Sequence, residues 1–362
     1  MKRSLVLLLG SALAVGTLSA PAALFAQTKT SAYKAPRNAL GQPDISGNWN
    51  NATITPESRP ATYGDRLVLT PEEVAKLEGL EATEATNAAK NSDPTAGAPK
   101  LGGEPARNNS RPEYAAAGGG VGGYDRTWLE PGSHVMRVRG EARSSLITTP
   151  NGRAPARKAG APAAGRGSFA QSNNGETGPA GPADNPEQRT LGDRCLISFG
   201  RSAGPPMLPN AFYNNNSTIV QSRDHVAIMV EMVHDTRVVR LNSKHRTDGV
   251  RPWFGDSIGW YEGDTLVVET TNIPRTQAYQ GSWENLKVTE RFTRVSPTKL
   301  FYQYKVEDPQ IWDTAWGGEY EFSSTSAVYE YACHEGNYAM EGILAGARSD
   351  ERVAAQRASG TQ

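Results

Sequence analysis

Residues 256–271 read DSIGWYEGDTLVVETT. Two runs rich in β-branched and aromatic residues flank Glu262-Gly263-Asp264, and a Gly-Asp step between such runs marks a tight hairpin turn. Residues 286–308, LKVTERFTRVSPTKLFYQYKVED, repeat the form around Ser296-Pro297-Thr298. Working outward, further runs are STIVQS (217–222), VAIMVEMV (226–233), RVVRLN (237–242) and AVYEYAC (327–333), with turns at Arg223-Asp224 and His234-Asp235-Thr236. No helical period separates them, which argues against crossovers and a doubly wound sheet. The expectation is mainly β: an antiparallel meander that hides its edges by closing as a barrel or stacking as a sandwich.

Two helices frame the meander. TPEEVAKLEGLEA (70–82) carries Thr70 as N-cap, Pro71 at the first helical position and Glu73 three residues after the cap, which predicts a peripheral N-terminal helix. YAMEGILAGAR (338–348) places Met340, Ile343, Leu344 and Ala347 at helical spacing and predicts a C-terminal helix on the sheet.

The N-terminus has Lys2-Arg3, an apolar run over 4–17 and small residues ending at Leu24-Phe25-Ala26. This is the pattern of a secretory signal peptide, assigned to residues 1–26, and it predicts a periplasmic or secreted protein. The apolar run is too short for a comfortable membrane crossing, so no integral membrane span is expected. Lys plus Arg and Asp plus Glu each number 38, and this neutral balance argues against a nucleic-acid partner held by bulk charge. The remaining organisation reads as follows. Residues 27–80 hold a leader, the first strand and the first helix, and 81–122 a low-complexity linker. Strands joining the barrel occupy 123–149, and 150–190 is a low-complexity insertion read as a mobile surface excursion. The main β domain with its C-terminal helix spans 191–348, and 349–362 is a tail.

Several stretches together resemble a family of exported bacterial proteins, most of them uncharacterised. They are DISGNW (44–49), YDRTWLEPGS (124–133), SLITTPNGR (145–153), RCL (194–196), GPPMLPN (204–210), WYEGDTLVVETTN (260–272), TERFTRV (289–295), VEDPQIW (306–312) and YACHEGNY (331–338). The resemblance covers most of the chain outside the two low-complexity stretches; it implies one shared fold and no chemistry. The Gly47-Asn48-Trp49 strand also resembles the opening of lipocalin-like barrels, which implies that the meander closes in that form.

The catalytic motifs lack their contexts. GGGVGG (118–123) has the spacing of a dinucleotide loop without the preceding strand and following helix. GRSAG (200–204) and GDSIG (255–259) have the nucleophile-elbow spacing around Ser202 and Ser257, but the first runs into Pro205-Pro206 and the second into a strand. The five histidines, His134, His225, His234, His245 and His334, have no metal-ligand spacing; no metal site and no cofactor is assigned, and zinc assembled from distant strands stays open. The two cysteines of an exported chain, Cys195 and Cys333, are read as one disulfide, with a Cys333 thiolate using His334 as base the alternative.

Carboxylates within apolar strands are the informative polar groups. Glu231 interrupts a run apolar on both faces, which reads as a central, buried strand, and Glu290 shares a face with Val288 and Phe292. A buried carboxylate is paired, hydrogen-bonded or protonated. Two readings stand: a structural ion pair with Arg237 or another strand arginine, or pocket carboxylates available to a ligand. Candidate acid–base residues are thus Glu231, Glu290, His334 and Glu335. Candidate ligand-stacking residues are Trp260, Trp312, Trp316 and Tyr331, with 308–316 read as a loop on the rim. The function expected is binding of a small hydrophobic or aromatic, sugar-like molecule by an exported barrel. The alternative is a metal-independent lyase, isomerase or hydrolase working through pocket carboxylate and histidine groups.

Overall fold

The computed structural model describes residues 33–88, 130–161, 183–198, 203–210 and 213–360. Residues 1–26, most of the 81–122 linker, GGGVGG and Ser202 lie outside the described residues. The strands are β1 (Gly47–Asn50), β2 (Arg137–Val138), β3 (Glu141–Ala142), β4 (Asn216–Gln221), β5 (His225–Val230), β6 (Thr236–Leu241), β7 (Asp256–Glu262), β8 (Thr265–Thr271), β9 (Lys287–Ser296), β10 (Lys299–Glu307) and β11 (Trp316–Ser324). Nine of them close a barrel in the order β1-β11-β10-β9-β8-β7-β6-β5-β4, with β1 pairing back onto β4; β2 and β3 form a separate hairpin.

The antiparallel expectation holds for every barrel pair but one. β6 and β7 run parallel, Val239 opposite Ser257, because residues 242–255 cross the outside of the barrel before the chain re-enters the wall. That connection is irregular rather than helical, so it leaves no crossover signature in the sequence. The strand expected at 327–333 is an irregular strap, and the ninth wall strand is β11 within WGGEYEFSS. Gly317 and Gly318 disguise it as a loop. A Cβ at Gly317 would stand 1.9 Å from the Tyr304 carbonyl oxygen, so close strand contact requires the glycine there.

Alternation sets the two faces of the wall. Inward-facing Trp49, Leu266, Phe292, Tyr302, Tyr304, Tyr320 and Phe322 are all fully buried and form an aromatic core. Tyr302 lies 4.8 Å from Tyr320 and 4.9 Å from Phe292, ring centroid to centroid. Three tight hairpins (222–224, 263–264, 297–298) close one barrel end, and the longer connections 231–235, 272–286 and 308–315 gather at the other. There the segment 203–210 plugs the barrel: the Met207 amide donates to the Tyr302 hydroxyl (2.9 Å), and the Tyr320 hydroxyl donates to the Met207 carbonyl (3.1 Å).

The N-terminal helix α1 (Pro71–Ala88) starts where expected. The Glu73 amide donates to Thr70 Oγ1 (3.3 Å), and the Thr70 amide donates to Glu73 Oε2 (2.8 Å). Val74 and Leu77 rest on Leu69, Val135 and Ala142. The helix runs on past residue 80, and the C-terminal helix α2 (Tyr338–Ala358) takes in most of the expected tail. Of the strands expected over 123–149, the described part holds only β2 and β3, outside the barrel wall. The described start of the 150–190 insertion is anchored at Gly152. The Arg59 amide donates to the Gly152 carbonyl (2.8 Å), and a Cβ at Gly152 would stand 2.4 Å from that of Arg59. Cys195 and Cys333 are bonded, as expected, across a sequence separation of 138.

Candidate functional site

The two strand carboxylates have different fates. Glu290, on the inward face of β9, is fully buried and takes both terminal nitrogens of Arg237 from β6, one of them at 2.9 Å. The Tyr302 hydroxyl donates to it at 2.8 Å, and the Met207 amide lies 3.3 Å from the same oxygen. Burial alone would lower the Arg237 pKa; the Glu290 carboxylate reverses this and holds it above its ordinary value. Burial and the Glu290 charge both raise the Tyr302 pKa. Glu290 is therefore the structural ion pair of the two readings. It anchors the plug, and its atoms are closed off from solvent.

Glu231 is not in a central strand. β5 ends at Val230, and the outward residue His225 is exposed, with Ala227 and Met229 half-buried. Glu231 opens a 3-10 turn over Met232–His234, in which Val233 takes φ +57°. It remains 5 % exposed, but its carboxylate is held by neutral donors: Asn214 Nδ2 (2.6 Å), Asn216 Nδ2 (2.8 Å) and the Tyr329 amide (3.1 Å). Asn216 is oriented in turn by Asn50 across the β1–β4 seam at 2.7 Å.

These groups floor a cleft of about 610 Å³ on the outer face of the wall, where β11, β1 and β4 meet. The segment 130–137 forms one bank and the strap 325–329 the other. The lining is dominated by amides, hydroxyls and charged groups: Asn50, Asn216, Ser323, Thr325, Lys299 and Glu321, with Tyr329 displaying its ring at the edge, 72 % exposed. Lys299 Nζ donates to Ser323 Oγ (2.8 Å), and the Arg139 amide donates to Glu321 (2.8 Å). Partial burial, and then the charge of Glu231, push the Glu130 carboxyl above its ordinary pKa.

The other candidates lie apart. Trp260 faces outward on β7 and its indole donates to Glu262 (2.9 Å). Trp312 and Trp316 are buried edge-to-face at 5.4 Å, in the core rather than on the rim. Tyr331 stacks on Tyr213 at 6.1 Å. His334 and Glu335 are exposed in the turn before α2 and do not line the cleft. Ser257 points inward, is 2 % exposed and shares a hydrogen bond with Thr270 (2.8 Å). A second cleft of about 560 Å³, between Gly160, Trp283, Asp308 and Gln310, borders the plugged end. Among the described residues no group of His, Cys, Asp or Glu is arranged to hold a metal ion, and no helix is long and apolar enough to cross a membrane.

No protein-family model matches the sequence, and no curated relative matches it either. A point mutant of the fluorescent protein UnaG aligns over 31 % of this chain and 72 % of its own, at 13 % identity and a TM-score of 0.20. A likeness of that size carries no functional argument, and the barrel assignment rests on the strand pairing itself. The disulfide is in keeping with an oxidising compartment.

The sequence reading missed the asparagines. Asn214-Asn215-Asn216, just before a β-rich run, is the signal that pointed to them: consecutive short amides favour turns and supply paired donors.

Proposed function

We propose that this is an exported protein that binds a small polar molecule, bearing hydroxyl or amino groups, in the outer cleft rather than inside the barrel. The observation that carries the reading is Glu231, a buried carboxylate in the cleft floor held only by neutral donors among the described partners. A carboxylate held by neutral donors remains open to a cationic or hydroxyl donor from outside. The exposed Tyr329 ring offers an apolar face against which a sugar packs. The barrel interior supports the same reading by exclusion, since the aromatic core, the Arg237–Glu290 pair and the Met207 plug fill it.

A second reading is favoured by one observation. Glu130 and Glu231 share the cleft in unequal environments, Glu130 being raised by burial and by its neighbour. A carboxyl group held above its ordinary pKa beside a second carboxylate can serve as a proton donor. On that reading Glu130 donates a proton and Glu231 accepts one.

Mass spectrometry of small molecules co-purifying with the protein from a bacterial periplasm tests the binding reading. A retained saccharide or amine, absent from a Glu231→Gln preparation, is the expected result. An empty native preparation, or the same molecule retained by the variant, would overturn it.

A further inference from the structure

The strap that banks the cleft leaves the barrel wall at Ser324; besides the Tyr331 ring on Tyr213, it is tied by two backbone hydrogen bonds and the disulfide. The Thr325 amide donates to the Asn48 carbonyl (3.0 Å), the Tyr329 amide donates to Glu231 (3.1 Å), and Cys333 is bonded to Cys195. Cys195 belongs to a loop that is itself held by the barrel: the Ser198 amide donates to Asp235 Oδ2 (2.8 Å), with Leu191 and Ile197 in the core. Glu231 and Asp235 flank the same 3-10 turn over Met232–His234. One end of that turn therefore grips the strap, the other grips the cysteine loop, and the disulfide joins the two arms into a closed clasp.

Beyond Cys333 the chain is held only from the surface. Helix α2 has no buried residue; Asn337, just before it, donates to the Asp193 carbonyl (2.8 Å) and lies 3.5 Å from Cys195 Sγ, and Arg348 donates to the Ala183 carbonyl (2.8 Å) and pairs with Asp184 (3.7 Å). Exposed contacts of this kind are individually weak. The strap's amide on Glu231 is a single hydrogen bond, and a strap joined to the wall at one end opens locally at low cost.

We propose that the Cys195–Cys333 disulfide is a redox tether of the outer cleft: reduction by a dithiol releases the strap, removes the Tyr329 bank and the amide donor from Glu231, and leaves the barrel folded. The step balances as an exchange. Two electrons and two protons pass from the dithiol to the two cysteine sulfurs, the S–S bond breaks, and the dithiol leaves as its own cyclic disulfide. The barrel is spared because its nine strands close on themselves without the tether. The proposal rests on the outer cleft being the binding site, and it assigns that site a condition, an oxidised clasp.

Hydrogen exchange read by mass spectrometry tests the tether without any ligand, so its failure is separate from failure of the binding reading. Full-length protein is compared before and after treatment with dithiothreitol, the freed thiols being alkylated, and again as the Cys195→Ser/Cys333→Ser double variant. Peptides covering 325–333 should exchange about tenfold faster or more once the bond is gone, while those of β9 and β10 are unchanged. Unchanged exchange at 325–333 would show that the bond does not hold the strap. Faster exchange throughout β9 and β10 would show a staple of the whole fold instead of a cleft tether. Either result overturns the proposal.

Discussion

Two buried glutamates, one within β9 and one just past the end of β5, face opposite sides of the barrel wall. Glu290 looks inward, is fully buried and is matched by an arginine; Glu231 looks outward, is 5 % exposed and is matched by two asparagine side chains and one backbone amide. The difference teaches what each side is for. An inward charge closed off by Tyr302 and Met207 has no access to anything but its partner, so it fixes the plug and the fold. An outward charge held by neutral donors beside an open cleft has electrostatic capacity left for a guest.

Substitution of the two side chains probes that contrast directly. Glu290→Gln leaves Arg237 buried without its counter-charge and should destabilise the protein by about 3–5 kcal/mol, read from denaturant unfolding. Replacing both partners with apolar residues, Arg237→Met with Glu290→Leu, should recover most of that loss; a double variant as unstable as the single one would show that the plug, and not the charge, was holding the core.

Acid stability adds a second handle at the same barrel end. Burial pushes the Asp235 carboxyl up to about 6, from an ordinary value of 3.8. Between those two values the folded state keeps a proton that the unfolded state has released, so stability falls as pH rises through that window. The effect is at most about 3 kcal/mol. Asp235→Asn should flatten the fall between pH 4 and 6; an unaltered slope would place its origin elsewhere.

Smaller effects are expected on the outer side. Glu231→Gln turns one acceptor into a donor facing Asn214, or facing Asn216 and Tyr329, and should cost only about 1–2 kcal/mol while removing ligand binding. A loss as large as that of Glu290→Gln would abolish the contrast between the two sides. The smallest effect is at α1, remote from both. Thr70→Ala removes the cap and should cost about 1 kcal/mol, with the cleft unaffected.

How far the sequence reached follows from the same residues. The hairpins of β7–β8 and β9–β10 were legible because a turn signal and alternation coincide there, and the Thr70 cap because its three-residue spacing is local. The parallel β6–β7 seam was not, since an irregular connection has no period to read. β11 was hidden by Gly317-Gly318, which the close approach of Tyr304 demands and which a sequence presents as a breaker. Glu231 and Glu290 could both be picked out as carboxylates in apolar runs. Which partner each takes could not, because Arg237 meets Glu290 across the barrel, and Asn214 meets Glu231 only where β5 ends at Val230 and Val233 turns the chain through a left-handed conformation. The stacking candidates failed for a related reason: Trp312 and Trp316 carry the same composition whether on a rim or in a core, and only the path of β11 separates the two.

The central claim is that the ligand site is the outer cleft built on Glu231. Ligand-observed NMR against a panel of monosaccharides, amino sugars and short diamines tests it most directly, run on the native protein, on Glu231→Gln and on Trp312→Phe. The account predicts at least one binder whose saturation-transfer signal disappears with Glu231→Gln and persists with Trp312→Phe. A panel with no binder, or a binder indifferent to Glu231→Gln, would contradict it.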